Sequence, residues 1–303
     1  MIPVPNSFPR SAVRRFGDAG RLWIKELPEI LAECEKRWEL TACRPVADLS
    51  INLVFFATSG RHGEVVLKVT GPHSERDTEM YALERLGGEY ACRCIDDDHS
   101  LGAMLLERLE PGSTLRLLDD PDVQLEVGME MIENLPCGVA DDHPFPTYRQ
   151  WIDRTFRRAL TQYSPPQEEL ALYDAASDLY ERISYGPTRL LHGDLHHDNI
   201  LSSGDRWKAI DPQGVVGPVV MECGRFIQNH ADQNDRLHIG TAILAAERLG
   251  EALLIPTHDV VAALFILHLL TACWCREMSD PPKTVSRITD ECSGLLQCIR
   301  RGC

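Results

Sequence analysis

His192-Gly-Asp-Leu-His-His-Asp-Asn199 and, shortly after it, Ile210-Asp-Pro-Gln-Gly214 contain the densest polar cluster in the sequence. Short apolar runs border both stretches, so we expect strands to deliver Asp194, Asn199 and Asp211 to loops. Converging carboxylates with one amide oxygen suit a hard cation such as Mg²⁺, which prefers oxygen ligands. A carboxylate that binds no metal can take a proton from a hydroxyl group. The cluster therefore offers residues for metal binding and for proton transfer.

Three histidines in the same segment raise the alternative of a transition-metal site. His192 and His196 have the i,i+4 spacing of the His-Glu-x-x-His zinc sites, which lie on helices. Gly193 stands between them, however, and the segment has the composition of a turn. We therefore expect His192 to hold the loop by hydrogen bonds, with His196 and His197 as polar loop residues.

The N-terminal part of the chain alternates between helical and strand patterns. Apolar residues recur at intervals of three and four over residues 23–38, which predicts an amphipathic helix. Residues 49–58 and 64–70 are rich in β-forming side chains and flank a polar turn, so they predict a hairpin. A second helix is predicted over residues 75–86, and residues 103–109 predict a strand that ends at a Pro-Gly break.

The periodicity beyond this break is mostly helical. The predicted elements there are helices at residues 123–135, 148–162, 167–183, 241–254, 259–278 and 284–299, with short strands at 188–192 and 207–210. The sequence therefore predicts an α+β fold with two lobes. The first, small and rich in strands, covers residues 1–107, a hinge covers residues 108–112, and the mainly helical second lobe covers residues 113–303.

The charge balance limits the classes of partner. Asp and Glu total 46 and Lys and Arg total 31, which gives a formal net charge of −15. A protein that neutralises nucleic-acid phosphates carries the opposite balance, so we predict no nucleic-acid partner. A negative surface attracts cations, which allows a cationic small molecule as the partner. Solubility alone is the other explanation of this charge.

Eleven cysteines are spread along the chain. Their odd number, and an N-terminal stretch without an apolar leader segment, favour reduced thiols in a cytoplasmic protein. The pairs Cys92-Arg-Cys94 and Cys273-Trp-Cys275 lack the spacing of zinc hooks, so structural thiols are expected. Residues 260–275 are the most apolar stretch but are too short and too polar for a membrane span, so they predict a buried core helix and no membrane contact.

The two motifs resemble those of the aminoglycoside phosphotransferases, which share the protein-kinase-like fold. Residues 192–199 look like the HGDxxxxN catalytic loop of that family, and residues 210–214 look like its IDxxG metal-binding segment. The Asp-Pro and the Gly-Val-Val-Gly of residues 214–217 are most similar to the branch of streptomycin 6-phosphotransferases and hydroxyurea-resistance kinases. Residues 65–69 resemble the strand with the nucleotide lysine, and residues 105–112 resemble the hinge.

The resemblance implies a role for each matching residue. Asp194 would accept the proton of the substrate hydroxyl, and Asn199 and Asp211 would carry Mg²⁺. Lys68 would contact the nucleotide phosphates, and Glu79 would hold Lys68. A lysine at a strand edge in a surface ion pair is the alternative for Lys68.

Two further sets of residues would contact the nucleotide. Backbone groups at Glu107 and Leu109, in the segment that resembles the hinge, would hold the adenine. Ser50 and Asn52, at the first hairpin, would take the place of a glycine-rich lid and touch the phosphates, although ordinary strand residues are the alternative.

The chain departs from its relatives in ways that bear on the acceptor. Gly193 replaces the arginine of protein kinases and no Ala-Pro-Glu segment follows, so a protein substrate is not expected. Pro218 stands where relatives often carry an acidic residue. Glu222, one helical turn later, could replace that carboxylate, and a charge at a helix N-terminus is the alternative. The candidate carboxylates for a cationic substrate are Asp153, Glu222, Asp232 and Glu277.

The predicted function is that of an enzyme, an O-phosphotransferase that uses ATP or GTP with Mg²⁺. Its expected acceptor is a hydroxyl of a cationic small molecule, a streptomycin-like aminoglycoside first of all, with antibiotic resistance as the outcome. Hydroxyurea, a basic peptide antibiotic of the viomycin or capreomycin type, and a metabolic alcohol are alternative acceptors. A kinase-like binding protein without catalysis is the alternative from another class. A monomer is expected.

Overall fold

The structure of the 303-residue chain is a computed structural model. The structure describes residues 2–6, 8–46, 52–72, 76–228 and 236–302.

The helices of the described residues are α1 (Phe8–Arg37), α2 (Arg76–Leu86), α3 (Pro121–Asn134), α4 (Tyr148–Tyr163), α5 (Gln167–Ile183), α6 (Val220–Gln228), α7 (Ile239–Leu253), α8 (Thr257–Glu277) and α9 (Pro282–Arg301). The strands are β1 (Leu40–Pro45), β2 (Leu53–Ser59), β3 (Gly63–Val69), β4 (Cys94–Asp98), β5 (Ala103–Glu107), β6 (Pro111–Thr114), β7 (Arg189–Leu191), β8 (Ile200–Ser203), β9 (Arg206–Ala209) and β10 (Val215–Gly217). Single 3₁₀ turns form at Leu115–Leu117 and His197–Asn199.

The chain divides into two compact units, and neither is continuous in sequence. One contains Met1–Ser113 and Ser202–Ile210, and the other contains Thr114–Leu201 and Asp211–Cys303. The chain therefore leaves the second unit after Leu201 and returns to it at Asp211.

The helices predicted from the sequence all form. The helix predicted over residues 167–183 has the observed bounds of α5, and the others agree within a few residues except at the start of α1. That helix begins at Phe8 and contains a kink at Gly17, whose φ of 59° is left-handed. The helix α6 was not among the predicted helices, because its nine residues are too few for a clear period.

The first unit contains a five-stranded antiparallel sheet in the order β1-β2-β3-β5-β4. The predicted hairpin is β2 and β3, with Leu53 opposite Val69. Alternate residues of β2 are buried, and Phe55 is one of those that join Trp23 and Leu27 of α1 in the hydrophobic core. The hairpin and α1 thus pack against each other as two layers, a sheet and a helix.

The two edge strands of this sheet, β1 and β4, were missed by the sequence analysis. The strand β1 buries only Leu40 and the strand β4 has no fully buried residue. An edge strand with so few buried residues lacks the apolar alternation by which a strand is recognised.

The returning segment Ser202–Ile210 adds a short hairpin to the first unit. The backbone N–H of Cys92 donates to the carbonyl oxygen of Ala209 at 2.8 Å, and the N–H of Ala209 donates to the carbonyl oxygen of Tyr90, also at 2.8 Å. Lys208 adds an ion pair to Glu107, with 2.7 Å between Nζ and Oε1. The segment is therefore held by backbone and side-chain bonds within this unit.

The second unit is built around α8, which packs against α4, α5, α6, α7 and α9. By length and composition α8 could cross a membrane, with a mean hydropathy of 1.7, yet 83% of that apolar stretch is buried inside the protein. A helix that is apolar on all sides and covered by other helices is a core helix. The structure thus confirms the core helix predicted for residues 260–275.

Candidate active site

The two polar motifs meet because the strands that flank them pair. The strand β7 precedes the first motif and β10 follows the second, and the two are antiparallel, with Leu191 opposite Val215. The carbonyl oxygen of His192 accepts hydrogen bonds from the N–H groups of Gln213 at 2.8 Å and Gly214 at 3.2 Å. The pairing therefore sets the start of one motif against the end of the other.

The turn after β7 requires glycine at position 193. Gly193 has a φ of 79°, which is left-handed backbone. A Cβ at this position would lie 2.7 Å from Cγ1 of Val215 and 3.3 Å from a ring carbon of Trp151. His192 has no exposed surface, and its Nδ1 accepts a hydrogen bond from the N–H of Asp194 at 3.2 Å. His192 thus holds the loop by hydrogen bonds, as predicted.

The carboxylate of Asp194 is held by a guanidinium and an amide. Oδ1 accepts from Nε of Arg225 at 2.9 Å, and a second nitrogen of the same guanidinium also contacts Oδ1. The Nδ2 of Asn199 donates to the backbone oxygen of Asp194 at 3.0 Å and to its Oδ2 at 3.4 Å. Burial raises the pKa of Asp194, but the charge of Arg225 and a hydrogen bond with His196 hold it well below its usual range. Asp194 is therefore ionised, and a carboxylate in this state accepts hydrogen bonds from hydroxyl groups.

The residues proposed for the metal are a half-buried amide and a half-buried carboxylate, Asn199 and Asp211. Because the Nδ2 of Asn199 donates to Asp194, its Oδ1 is the side-chain atom left to act as a ligand. Asp211 has a φ of 58°. It lies two residues before Gln213, whose N–H donates to the carbonyl oxygen of His192. One amide oxygen and one carboxylate make a donor set that fits a hard divalent cation.

Glu222 does not lie where the sequence analysis placed it. It was predicted as a carboxylate that could meet a cationic substrate, but its side chain on α6 has no exposed surface. Oε1 of Glu222 accepts a hydrogen bond from the N–H of Gly193 at 2.9 Å. Burial raises the pKa of Glu222 to about 7, against the opposing effect of that hydrogen bond. The carboxylate of Glu222 is thus buried against the turn at Gly193 and stabilises it through this hydrogen bond.

Arg225 is a site residue that the sequence analysis missed. It lies three residues after Glu222 on α6, and residues with this spacing share one face of a helix. The spacing could therefore have drawn attention to an arginine on the face that carries the predicted carboxylate. Sequence alone gave no sign that this face covers the loop of Asp194.

In the first unit, Lys68 of β3 and Glu79 of α2 form a buried ion pair. Only 2% of the lysine side chain and 8% of the glutamate side chain are exposed, and Nζ of Lys68 contacts Oε1 of Glu79. This burial argues against the alternative of a surface ion pair. A charged pair that is nearly removed from water is costly to desolvate, so it points to a function beyond stability.

The residues predicted for the phosphates and the adenine also lie in this unit or fall outside the described residues. Asn52 is 9% exposed, and its Oδ1 accepts from the N–H of Gly71 at 3.2 Å, so its side chain links the residue before β2 to the segment that follows β3. Ser50 lies outside the described residues. Glu107 ends β5, and its side chain accepts from the N–H of Arg93 at 2.8 Å. Leu109 is 8% exposed and follows that strand.

The remaining substrate candidates are not brought together by any contact of the described residues. Asp153 on α4 is 49% exposed and pairs with Arg149 one turn away at 3.6 Å. Glu277 at the end of α8 pairs with Arg158 at 3.2 Å. Asp232 lies outside the described residues. The structure thus gives Asp153 and Glu277 arginine partners of their own.

The buried thiols fit a structural role. Burial raises the pKa of Cys34, Cys223 and Cys273 to about 12, so these side chains are neutral thiols at physiological pH. Among the described residues, the one group of three His, Cys, Asp or Glu side chains close enough to share a metal is Glu84, Asp97 and His99, which contains no cysteine.

Known proteins resemble this chain in sequence. The sequence model of a family described as aminoglycoside/hydroxyurea antibiotic resistance kinase matches residues 37–279. A streptomycin 6-kinase of Streptomyces glaucescens is 29% identical over 233 residues, which are 72% of this chain and 72% of the relative. A hydroxyurea phosphotransferase of Kitasatospora aureofaciens is 28% identical over 236 residues, which are 72% of this chain and 65% of the relative.

The structure resembles that of an aminoglycoside phosphotransferase solved in a ternary complex with ADP and hygromycin B. The TM-score is 0.60 at 13% identity, and the match covers 89% of this chain and 98% of the other. At this identity the likeness establishes the fold alone. It confirms the protein-kinase-like α+β fold predicted from the sequence.

Proposed function

The chain belongs to the aminoglycoside/hydroxyurea antibiotic resistance kinases, and from this premise we propose that it inactivates an antibiotic by phosphorylating one of its hydroxyl groups. It is an enzyme of the phosphotransferase class and uses a nucleotide as the phosphoryl donor. We infer that the donor is ATP or GTP with Mg²⁺, and that the acceptor is a cationic, streptomycin-like aminoglycoside.

The ionised carboxylate of Asp194 carries this proposal. Phosphoryl transfer requires little covalent chemistry of the protein, which has to position the reactants and neutralise charge. Asp194 would accept a hydrogen bond from the acceptor hydroxyl, orient its oxygen toward the phosphorus and take up the proton. A positioned base of this kind contributes about 10²–10⁴-fold to a rate.

The first unit holds the residues proposed for the nucleotide phosphates, and the second unit holds those proposed for Mg²⁺. Lys68 would neutralise nucleotide phosphates, and Glu79 would keep its ammonium in place. Mg²⁺ when bound would neutralise charge on the phosphates, with Asn199 and Asp211 as its protein ligands. The fit of an amide oxygen and a carboxylate to a hard cation supports this assignment.

The proposal also keeps the functions that were predicted for each lobe. Residues 1–107 would bind the nucleotide, with backbone groups of Glu107 and Leu109 at the adenine, and residues 108–112 would act as the hinge. Residues 113–303 would carry the catalytic loop and the substrate site. A phosphate contact by Asn52 stays a prediction, since its side-chain oxygen is already bonded to the N–H of Gly71.

Hydroxyurea is the second candidate acceptor. The relative from Kitasatospora aureofaciens is a hydroxyurea phosphotransferase, and its match covers as much of this chain as the match of the streptomycin 6-kinase. The net charge of −15 favours the cationic aminoglycoside, because hydroxyurea is small and neutral.

A coupled assay of ADP release tests the proposed function. The purified protein is incubated with ATP and Mg²⁺ and with streptomycin, hydroxyurea, capreomycin or choline in separate reactions. Release that depends on streptomycin, and a product of matching mass whose phosphate is located by NMR, is the expected result. Release with another acceptor would reassign the substrate, and no acceptor-dependent release would favour a binding protein without catalysis.

We further propose that the protein works as a monomer in the cytoplasm. Neutral buried thiols such as those of Cys34 and Cys223 fit a reducing compartment. The nucleotide donor is also a cytoplasmic metabolite.

A further inference from the structure

The guanidinium of Arg225 holds one oxygen of the proposed catalytic base. Two of its nitrogens contact Oδ1 of Asp194, Nε at 2.9 Å. Only 14% of the arginine side chain and 20% of the aspartate side chain are exposed. A charge-assisted contact by two donors fixes the carboxylate in direction as well as in position.

A hydrogen-bonded chain holds Arg225 itself in place. Its Nη1 donates to Oε1 of Gln228 at 2.9 Å. The Nε2 of Gln228, a buried residue, donates to Oγ1 of Thr271 at 2.7 Å and lies 3.4 Å from Nδ1 of His268. The Nε2 of His268 in turn lies 2.8 Å from Oε2 of Glu291. Side chains of α6, α8 and α9 thus form one connected network that ends at Asp194.

The second oxygen of Asp194 has longer contacts. Oδ2 lies 3.4 Å from Nδ2 of Asn199 and 3.7 Å from Nε2 of His196. Because Oδ1 already accepts hydrogen bonds from two nitrogens of Arg225, Oδ2 is the oxygen that keeps lone pairs for a further donor. A lone pair of Oδ2 is then directed by the orientation that the guanidinium gives to the carboxylate.

We propose that Arg225 is a positioning residue for phosphoryl transfer, which holds Oδ1 of Asp194 so that Oδ2 is presented to the acceptor hydroxyl. The inference rests on the proposed kinase function. A purely structural role for Arg225, as the partner of a buried charge, makes a different prediction. In that case, removal of the Arg225 side chain lowers the stability of the folded protein but leaves the turnover of folded molecules unchanged.

Two substitutions at this position separate these roles. Arg225→Met removes the donors, so we expect kcat to fall by about 10²-fold, the effect of a small misplacement of a reacting group. Arg225→Lys keeps the charge but cannot contact both Asp194 and Gln228 in the same way, so we expect an intermediate kcat, about 10-fold below the wild type. The KM for ATP should stay within about 2-fold in both, because uniform binding is unaffected.

Arg248→Met is the matched control. Arg248 pairs with Asp122 at the surface, and its side chain is 44% exposed, so its loss should leave kcat unchanged. All variants are assayed for ADP release with the acceptor phosphorylated by the wild type, and kcat is calculated per folded molecule after the melting temperature is recorded. If Arg225→Met does not fold, Arg225→Lys decides the test.

The outcomes are distinguishable. A wild type that phosphorylates no acceptor would overturn the proposed function and this inference with it. If the wild type is active and either Arg225→Lys or folded Arg225→Met has the same kcat, the inference alone is overturned. A lowered melting temperature with unchanged kcat would assign Arg225 a structural role. A graded loss of kcat with a steady KM for ATP would support positioning.

Discussion

The N–H of Gly193 donates a hydrogen bond to Oε1 of Glu222 at 2.9 Å. This bond joins the turn before Asp194 to a carboxylate that has no exposed surface. A buried carboxylate is tolerated when its oxygens are bonded or when it binds a proton. The turn that presents the proposed base therefore depends on a side chain from α6.

Replacement of Glu222 by glutamine should change how stability depends on pH. Because burial raises the pKa of Glu222 from 4.5 to about 7, the folded state holds this proton more tightly than the unfolded state. The stabilisation is complete below pH 4.5 and is lost as pH rises through 7. A pKa rise of this size corresponds to about 3 kcal/mol.

The measurement is urea unfolding of the wild type and Glu222→Gln between pH 4.5 and 8. We expect the stability advantage of the wild type over the variant to shrink as pH rises. Glu251→Gln, at an exposed position of α7, serves as the control and should run parallel to the wild type. An advantage that stays constant across this range would contradict the buried, proton-binding state of Glu222.

Substitution of Asp194 by alanine should remove most of the turnover and leave nucleotide binding nearly intact. The loss of a base and orienting group lowers kcat by about 10²–10⁴-fold. Calorimetric titration with an ATP analogue measures the binding separately. Near-normal turnover in Asp194→Ala would exclude this carboxylate as the base.

Lys68→Met should weaken both the fold and nucleotide binding. Removal of one partner leaves Glu79 as a buried charge without its ammonium, which costs about 3–5 kcal/mol. The double variant Lys68→Met/Glu79→Leu replaces both charges by apolar groups and should recover most of that stability. Thermal unfolding and nucleotide titration of both variants provide the test.

The double variant separates function from packing. If Lys68 binds phosphates, the double variant stays weak in nucleotide affinity although it is stable again. Recovery of both properties would mean that the pair acts only through the fold.

Gly193→Ala should be more damaging than an alanine at another left-handed glycine. Gly204, with a φ of 62°, has no atom within 4 Å of an added Cβ, so Gly204→Ala carries only the backbone strain, about 1–2 kcal/mol. At Gly193 the added carbon also overlaps Cγ1 of Val215 at 2.7 Å. We expect the melting temperature and kcat to fall further in Gly193→Ala, and equal effects at both positions would contradict the close approach of β10.

Asp211→Asn tests the metal assignment. Asparagine tolerates the left-handed backbone at this position, where φ is 58°, so the fold should be preserved while one negative charge is lost. The Mg²⁺ concentration that gives half-maximal activity should rise. An unchanged Mg²⁺ dependence would remove Asp211 from the ligands.

The sequence was a good guide wherever one residue pattern dominates. The apolar run of α8 needed no other part of the chain to be interpreted, and the order of the predicted helices and strands indicated the two-lobed α+β fold. The roles assigned to residues 192–199 came from their resemblance to a family motif, and these roles stay predictions. The strands β1 and β4 were missed because an edge strand buries too few side chains to show a period. Arg225 was missed because its importance comes from contact with Asp194, which is distant in sequence.

Glu222 illustrates the same limit from the opposite side. The sequence marked it as a candidate carboxylate, but exposure to solvent is decided by the packing of α6 around the catalytic loop. Glu222 was proposed to contact the substrate, but in the structure it is buried and accepts a hydrogen bond from the N–H of Gly193. The sequence therefore indicated that a carboxylate at this position matters, but it did not indicate which group the carboxylate contacts.

The interruption of both units in sequence restricts how this enzyme can be cut or recombined. A fragment that stops at Ser113 lacks the hairpin of residues 202–210, and with it the lysine that pairs with Glu107. A single crossover between two related genes would join a hairpin from one parent to a sheet from the other. Exchange of a whole unit between family members therefore needs three junctions, one after Ser113 and one at each end of the inserted segment Ser202–Ile210.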